Sequence, residues 1–157
     1  MGEVFGWTGR LVIRRFRLAD VDGFAAYRSD PLVARYQSWD APFPRADAQR
    51  LVAEFVVAGE RAPGWFQYAL ELRTTGALIG DVAINRQGDR AELGFTLARR
   101  YQGHGYATEA VRCVLDRVFG TGVHAVTAEF DPRNLASARL LERVGFRRDG
   151  NAATLRR

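Results

Sequence analysis

Apolar positions along this chain follow two periods, and the places where one gives way to the other mark its elements. A short β-rich run, Leu11-Val-Ile-Arg14, follows Gly9. From Ala19 to Arg28 the spacing is helical, with Val21, Phe24, Ala25 and Tyr27 inward, and Asp30-Pro31 stops it. A second short helix is expected from Pro31 to Tyr36, then a loop with two prolines from Trp39 to Pro44. Ala46 to Ala58 is amphipathic, with Leu51, Val52, Phe55 and Val56 in one stripe, and the stretch Gly59 to Gly64 ends it.

Three strands follow. Trp65 to Leu72 alternates, Thr74-Thr-Gly76 turns, Ala77 to Asn85 runs back, Gln87-Gly88-Asp89 turns again, and Ala91 to Ala98 completes an antiparallel meander. The clearest helix comes next: Ala107, Ala110, Val111, Val114, Leu115 and Val118 share one face, with Arg112, Asp116 and Arg117 outside. Gly120 and Gly122 terminate it. Val123 to Phe130 reads as a strand. Asp131-Pro-Arg-Asn134 then leads into a last helix, with Asn134 as N-cap, Leu140, Leu141 and Val144 inward, and Gly145 at its end. A strand begins at Phe146. The order β-α-α-α-β-β-β-α-β-α-β predicts one α/β (α+β) domain over residues 1–157, built on a mixed sheet.

The segment between the third meander strand and the long helix carries the chemistry. Gln102-Gly103-His104-Gly105-Tyr106-Ala107 sets two glycines around one residue just where a helix starts. Such a turn can aim several main-chain N–H groups at one anion, and the helix dipole adds roughly half a positive charge there. The reading is a phosphate cradle.

Composition sharpens this only slightly. The 157 residues are 47% hydrophobic, which suits a globular domain with a real core. Net charge is +5, and every basic residue is arginine, the better bidentate phosphate partner. The charge is too diffuse for nucleic-acid binding: no run of four basic residues occurs. No apolar run approaches the ~20 residues of a membrane span, and the N-terminus shows no signal-peptide pattern, so the cytoplasm is expected. The single cysteine, Cys113, excludes an internal disulfide and reads as a half-buried filler. His104 and His124 have no ligand spacing, and no metal is expected.

In its order of elements the chain resembles the GNAT N-acetyltransferases, and most closely their RimJ/RimL-like branch, the ribosomal-protein N-terminal acetyltransferase type. The resemblance rests on Arg10-Leu-Val-Ile-Arg-Arg-Phe16, Asp30-Pro-Leu-Val-Ala-Arg-Tyr36, Leu78-Ile-Gly-Asp-Val82, Ala91-Glu-Leu-Gly-Phe-Thr-Leu97, the glycine turn, and Asp131-Pro-Arg-Asn-Leu-Ala-Ser-Ala-Arg-Leu-Leu-Glu-Arg-Val-Gly-Phe146. It implies a mostly antiparallel central sheet with helices on both faces. It also implies transfer of acetyl from acetyl-CoA to a primary amine by direct attack in a ternary complex. One departure stands out. Only Arg147 to Arg157 follow Gly145-Phe146, room for one strand rather than two, so the final strand is expected to be missing or supplied by a partner chain.

By the same resemblance, the backbone of Phe95, Thr96 and Leu97 pairs with the pantetheine arm, the amides of Gln102, Gly103, His104, Gly105, Tyr106 and Ala107 hold the diphosphate, and Asn134 contacts the arm, caps its helix, or does both. Glu92 shares a strand face with Gly94 and Thr96; it is either the base that takes the amine proton or a solvated strand glutamate. Relatives with tyrosine before the motif glutamate use it as an acid toward the leaving thiolate. Here Leu141 holds that position, leaving Ser137 as the nearest replacement or as a first-turn serine bonded to backbone. Glu109 reads as structural, complementing the helix dipole, and Glu129 as a spare base. Tyr36, Trp39 and Phe43 either line the acceptor pocket or pack in the core. The expected acceptor is a protein or peptide N-terminal α-amine. The alternatives are a small-molecule amine, or no acceptor at all in a non-catalytic acyl-CoA-binding module. Monomer and homodimer both fit.

Overall fold

The computed structural model describes residues 3–157. Eight strands form one sheet: β1 (Val4–Trp7), β2 (Leu11–Arg15), β3 (Gly64–Leu72), β4 (Leu78–Gln87), β5 (Arg90–Leu97), β6 (Ala125–Glu129), β7 (Arg147–Asp149) and β8 (Ala152–Arg156). Their spatial order is β1-β2-β3-β4-β5-β6-β8-β7. Every pairing is antiparallel except β5 with β6. The helices are α1 (Val21–Arg28), α2 (Pro31–Ala34), α3 (Arg45–Val57), α4 (Tyr106–Phe119) and α5 (Leu135–Arg143).

Alternation along the strands divides the core between the two faces of the sheet. On one face Leu11, Ile13, Phe66, Tyr68, Leu70, Val82 and Leu93 meet the buried stripe of α4 and, from α5, Leu140 and Leu141. On the other, Ala69 meets Phe16, Val21, Phe24 and Tyr27 of the α1 region and Ala48 and Val52 of α3. Each of the fully buried phenylalanines Phe16, Phe24 and Phe66 contributes about 2–3 kcal/mol by leaving water. Arg14, in β2, is buried among carboxylates: it grips Asp20 through two 2.9 Å bonds and Glu71 at 3.0 Å, joining the turn before α1 to β3.

The expected elements are present with two additions. β1 is a four-residue strand interrupted by Gly6, too short to show a period. A Cβ on Gly6 would stand 2.9 Å from the Cys113 sulfur, so the glycine lets β1 lie close over α4, and Cys113 fills that contact. The C-terminal segment corrects the sequence reading. Arg147 to Arg156 forms two strands, not one, joined by the two-residue turn Gly150-Asn151 with Gly150 left-handed at φ 63°. β8 inserts between β6 and β7, so the chain itself supplies the strand that was expected to be missing or borrowed. Strands this short fit into the remaining residues because the turn uses only two of them. Smaller differences lie at element ends: α2 stops at Ala34 rather than Tyr36, and Leu18–Asp20 is a 3-10 turn leading into α1.

Candidate active site

The parallel pair β5–β6 is joined over only three residue pairs, Arg90 to Glu92 against Ala125 to Thr127. Beyond them the strands part, and the edge of β5 from Leu93 onward opens into a wedge. Main-chain direction alternates along β5. The N–H of Ala98 donates to Ile79 (2.8 Å), and the Thr96 carbonyl lies against Gly80, so the backbone of Gly94, Thr96 and Ala98 serves β4. Phe95 and Leu97 face the other way, into the wedge. There the Phe95 carbonyl accepts from the Gln37 amide (3.4 Å) and the Leu97 carbonyl from the Gln102 amide (2.9 Å). Of the three residues expected to pair with an arm through backbone, Phe95 and Leu97 are placed to do so, whereas Thr96 reaches the cleft only through its side chain.

Next to the wedge lies the glycine turn. Gly103 and Gly105 both sit in the left-handed region, at φ 79° and 82°, where a residue with a Cβ is strained. α4 begins at Tyr106. The Gln102 N–H, expected among the diphosphate donors, instead closes the preceding 3-10 turn onto the Arg99 carbonyl (3.1 Å), but from Gly103 through Thr108 no main-chain N–H donates to an acceptor among the described residues. Helix geometry accounts for the last three, since the first turn has no intrahelical partner. The strand connection β1–β2 braces the turn from behind. Arg10 donates to Glu109 (2.9 Å) and to the His104 carbonyl (2.9 Å), and its guanidinium covers the Tyr106 ring at 4.2 Å. The Thr8 hydroxyl also donates to Glu109. Burial pushes the Glu109 carboxyl up, but the bonds from Thr8 and Arg10 outweigh it and hold the group below its ordinary range.

Wedge and turn open into one cleft of about 570 Å³. Phe95, Thr96 and Leu97 form one wall, and the turn residues Gln102, Gly103, Gly105, Tyr106 and Ala107 the next. Asn134 and Ser137 from the start of α5 face them, and Tyr36 closes the far side. Asn134 caps α5, its side chain accepting from the Ser137 N–H at 3.2 Å. The Ser137 hydroxyl makes no hydrogen bond among the described residues.

Three predicted residues stand apart from this lining. His104 turns its carbonyl onto Arg10 and its ring toward Tyr106. Glu92 lies at the apex of the wedge, where the β5–β6 pairing ends, and not on the cleft wall. Trp39 is packing rather than lining: its indole N–H donates to the Arg28 carbonyl, Arg28 stacks on its ring at 3.9 Å, and Phe43 meets it edge-on. Leu141, in the position of the relatives' tyrosine, is buried in the core.

Sequence reasoning missed Gln37, Thr108, Arg35, Arg139 and Arg143, which all line the cleft. Arg139 and Arg143 were legible in principle, being four apart on the polar face of the last helix. Neither pairs with a carboxylate among the described residues. Arg143 donates to the Thr108 hydroxyl at 3.2 Å. On the opposite sheet face, Tyr27 donates to Asp81, in register with Thr96, and Gln67 adds a 3.3 Å bond. Burial pushes the Asp81 carboxyl up.

The profile of the acetyltransferase (GNAT) domain matches residues 10–147. The chain belongs to the GNAT acetyltransferase family. Among curated relatives, the uncharacterized N-acetyltransferase YnaD of Bacillus subtilis is 31% identical over 91% of this chain and 82% of its own length. Among solved structures, a GNAT-family acetyltransferase from Bacillus anthracis superposes with a TM-score of 0.85 at 24% identity, covering 96% of each chain. RimL, the ribosomal L7/L12 α-N-protein acetyltransferase, in its complex with coenzyme A, superposes with a TM-score of 0.85 at 13% identity over 98% of each chain, a likeness of fold. This GNAT domain is therefore an acetyl-CoA-dependent acetyltransferase. Its residues fit that co-substrate: a run of free amides beside Arg139 and Arg143, neither of them ion-paired among the described residues, suits a phosphorylated ligand, and the edge of β5 beyond Glu92, where no described strand pairs with it, suits an amide-bearing arm.

Proposed function

We propose that this acetyltransferase acetylates the α-amine of a protein or peptide N-terminus, in the manner of the RimJ/RimL-like branch. The observation that carries the reading is the character of the cleft wall. Among the described residues it holds arginines, tyrosines, amides and hydroxyls, but no carboxylate and no imidazole. Such a site works on an amine that is already partly neutral. An α-amine titrates near 7.7–8.0 and a lysine near 10.4, so at pH 7 roughly a tenth of the former is neutral and well under a thousandth of the latter. The RimL likeness supports the same acceptor class.

In this reading the turn amides from Gly103 to Ala107 hold the diphosphate of acetyl-CoA, with Arg139 and Arg143 adding positive charge. Phe95 and Leu97 bind the pantetheine arm along the open edge of β5, and Asn134 contacts it from α5. Bound acetyl-CoA supplies the acyl thioester. The Phe95 N–H, fixed by the sheet, polarises the acyl oxygen. Glu92 at the wedge apex takes the amine proton through water, and the Ser137 hydroxyl relays one to the departing sulfur, taking a proton from solvent as it gives its own. Tyr36 borders the acceptor. The single cysteine agrees with a cytoplasmic setting, and no helix among the described residues is long and apolar enough to cross a membrane.

The test compares acceptors under saturating acetyl-CoA: a peptide with a free N-terminal serine, an Nα-blocked peptide bearing lysine, spermidine and an aminoglycoside. The free α-amine should lead the lysine peptide in kcat/KM by about a hundredfold or more, the advantage its neutral fraction gives at pH 7. Preference for lysine or for a small amine would overturn the acceptor class. Tight acetyl-CoA binding without turnover on any acceptor would make this a binding module.

A further inference from the structure

The glycine turn cannot set its own orientation. With glycine on both sides of His104, the peptide joining His104 to Gly105 can rotate so that either its carbonyl or its N–H faces the cleft, because Gly105 tolerates either sign of φ. A carbonyl facing in would repel an anion. Arg10 decides between the two. Its Nη1 donates to the His104 carbonyl at 2.9 Å, and in a trans peptide the N–H of the next residue points the opposite way. Holding the carbonyl outward therefore turns the Gly105 N–H inward.

Arg10 is itself held from several sides. Its Nε donates to Glu109 at 2.9 Å and its main-chain N–H to the same carboxylate at 3.1 Å, while its guanidinium lies over Tyr106 at 4.2 Å. Glu109 belongs to the first turn of α4 and also receives the Thr8 hydroxyl. The side chain thus ties the β1–β2 connection to the helix start whose amides are free.

We infer that Arg10 is a positioning residue: anchored by Glu109, it locks the His104–Gly105 peptide with its N–H toward the cleft, and so makes the site select donors that carry a diphosphate. This rests on the reading of the glycine turn as the diphosphate site.

The test uses two acetyl donors with the same thioester and arm, acetyl-CoA and S-acetylpantetheine, which lacks the diphosphate. The readout is the ratio of their kcat/KM values. In Arg10→Met the ratio should fall roughly tenfold, the loss of one charge-assisted amide contact, through KM for acetyl-CoA. Arg10→Lys, which can still reach a carbonyl, should recover part of it. If Arg10→Met melts below the assay temperature, Glu109→Gln loosens the anchor while keeping the guanidinium, and it should move the ratio the same way by a smaller factor. An unchanged ratio in these variants, with both donors falling together or neither falling, would overturn the inference. A wild-type enzyme that uses both donors equally would instead remove the diphosphate reading on which it stands.

Discussion

Gly80 lies so close to Thr96 that a Cβ on it would stand 2.2 Å from the Thr96 carbonyl oxygen and 3.0 Å from the Leu97 Cα. The contact is backbone against backbone, between β4 and the strand that borders the cleft, and no rotamer change relieves it. Gly80→Ala must push β5 toward the wedge, displacing Phe95 and Leu97. We expect a loss of about 3 kcal/mol in stability together with a raised KM for acetyl-CoA. Gly94→Ala is the control, since its Cβ would meet nothing nearer than 3.8 Å; it should stay within about 0.5 kcal/mol of wild type. Urea midpoints of the two variants decide the matter, and equal midpoints would contradict the argument.

The two glycines of the turn differ in what surrounds them. A Cβ at Gly103 meets open space, so only its φ of 79° resists substitution, whereas one at Gly105 would also stand 3.3 Å from the Arg10 guanidinium. Asparagine tolerates the left-handed region and valine does not. Calorimetric titration should therefore show Gly103→Asn binding CoA within about threefold of wild type, and Gly105→Val binding at least tenfold more weakly. Full affinity in Gly105→Val would show that the turn does not hold the ligand.

What the sequence disclosed follows from range. The meander, α4 and α5 each carry several repeats of one period, and the glycine turn is contiguous, so a linear reading finds them. β1 and β7 hide for the opposite reason. Val4-Phe-Gly-Trp has a glycine where a period would show, and Arg147-Arg-Asp is exposed throughout, with pairing on one edge only. The segment from Arg147 to Arg157 holds two strands rather than one because the turn between them takes only Gly150 and Asn151. The cleft was legible in its walls but not in its braces. Arg10 meets His104 and Glu109 across more than ninety residues, and Trp39, placed beside the pocket by its position in the chain, is claimed instead by Arg28 and Phe43. Period two correctly grouped Glu92 with Gly94 and Thr96, yet the place where β5 and β6 separate, which puts Glu92 at the apex, is a property of the parallel pair.

Glu60 supplies a pH-dependent contribution to stability. It accepts from the Tyr68 hydroxyl (2.8 Å) and from Arg117 (3.0 Å), tying the segment before β3 to α4. Burial pushes its carboxyl up, but the bonds from Arg117 and Tyr68 prevail and hold it below the ordinary value. A carboxyl lowered in the folded state stabilises above its unfolded pKa, near 4.3, and that stabilisation is lost as pH falls through the lower folded value. Glu60→Gln should cost about 2 kcal/mol at pH 7. The gap from wild type should shrink steadily below about pH 4. A gap that stays constant from pH 7 to pH 3 would assign the cost to packing rather than charge.

Proton transfer separates Ser137 from Glu92. The Ser137 hydroxyl faces the cleft free of partners, while its N–H satisfies the Asn134 cap. Ser137→Ala thus keeps the cap, and its stability should stay within about 0.5 kcal/mol of wild type. Asn134→Ala, which removes the cap, should lose about 1 kcal/mol. If the hydroxyl protonates the departing sulfur, kcat in Ser137→Ala falls by about tenfold or more with little change in KM. A base leaves a different signature. If Glu92 removes the amine proton, it is needed most below the acceptor's own pKa, so the deficit of Glu92→Gln should widen as pH drops from 9 to about 6.5 and close toward pH 9, where the amine is neutral unaided. A deficit that is flat across that range makes Glu92 scaffolding at the apex of the wedge. A Ser137→Ala enzyme with wild-type kcat leaves the thiolate to be protonated by solvent.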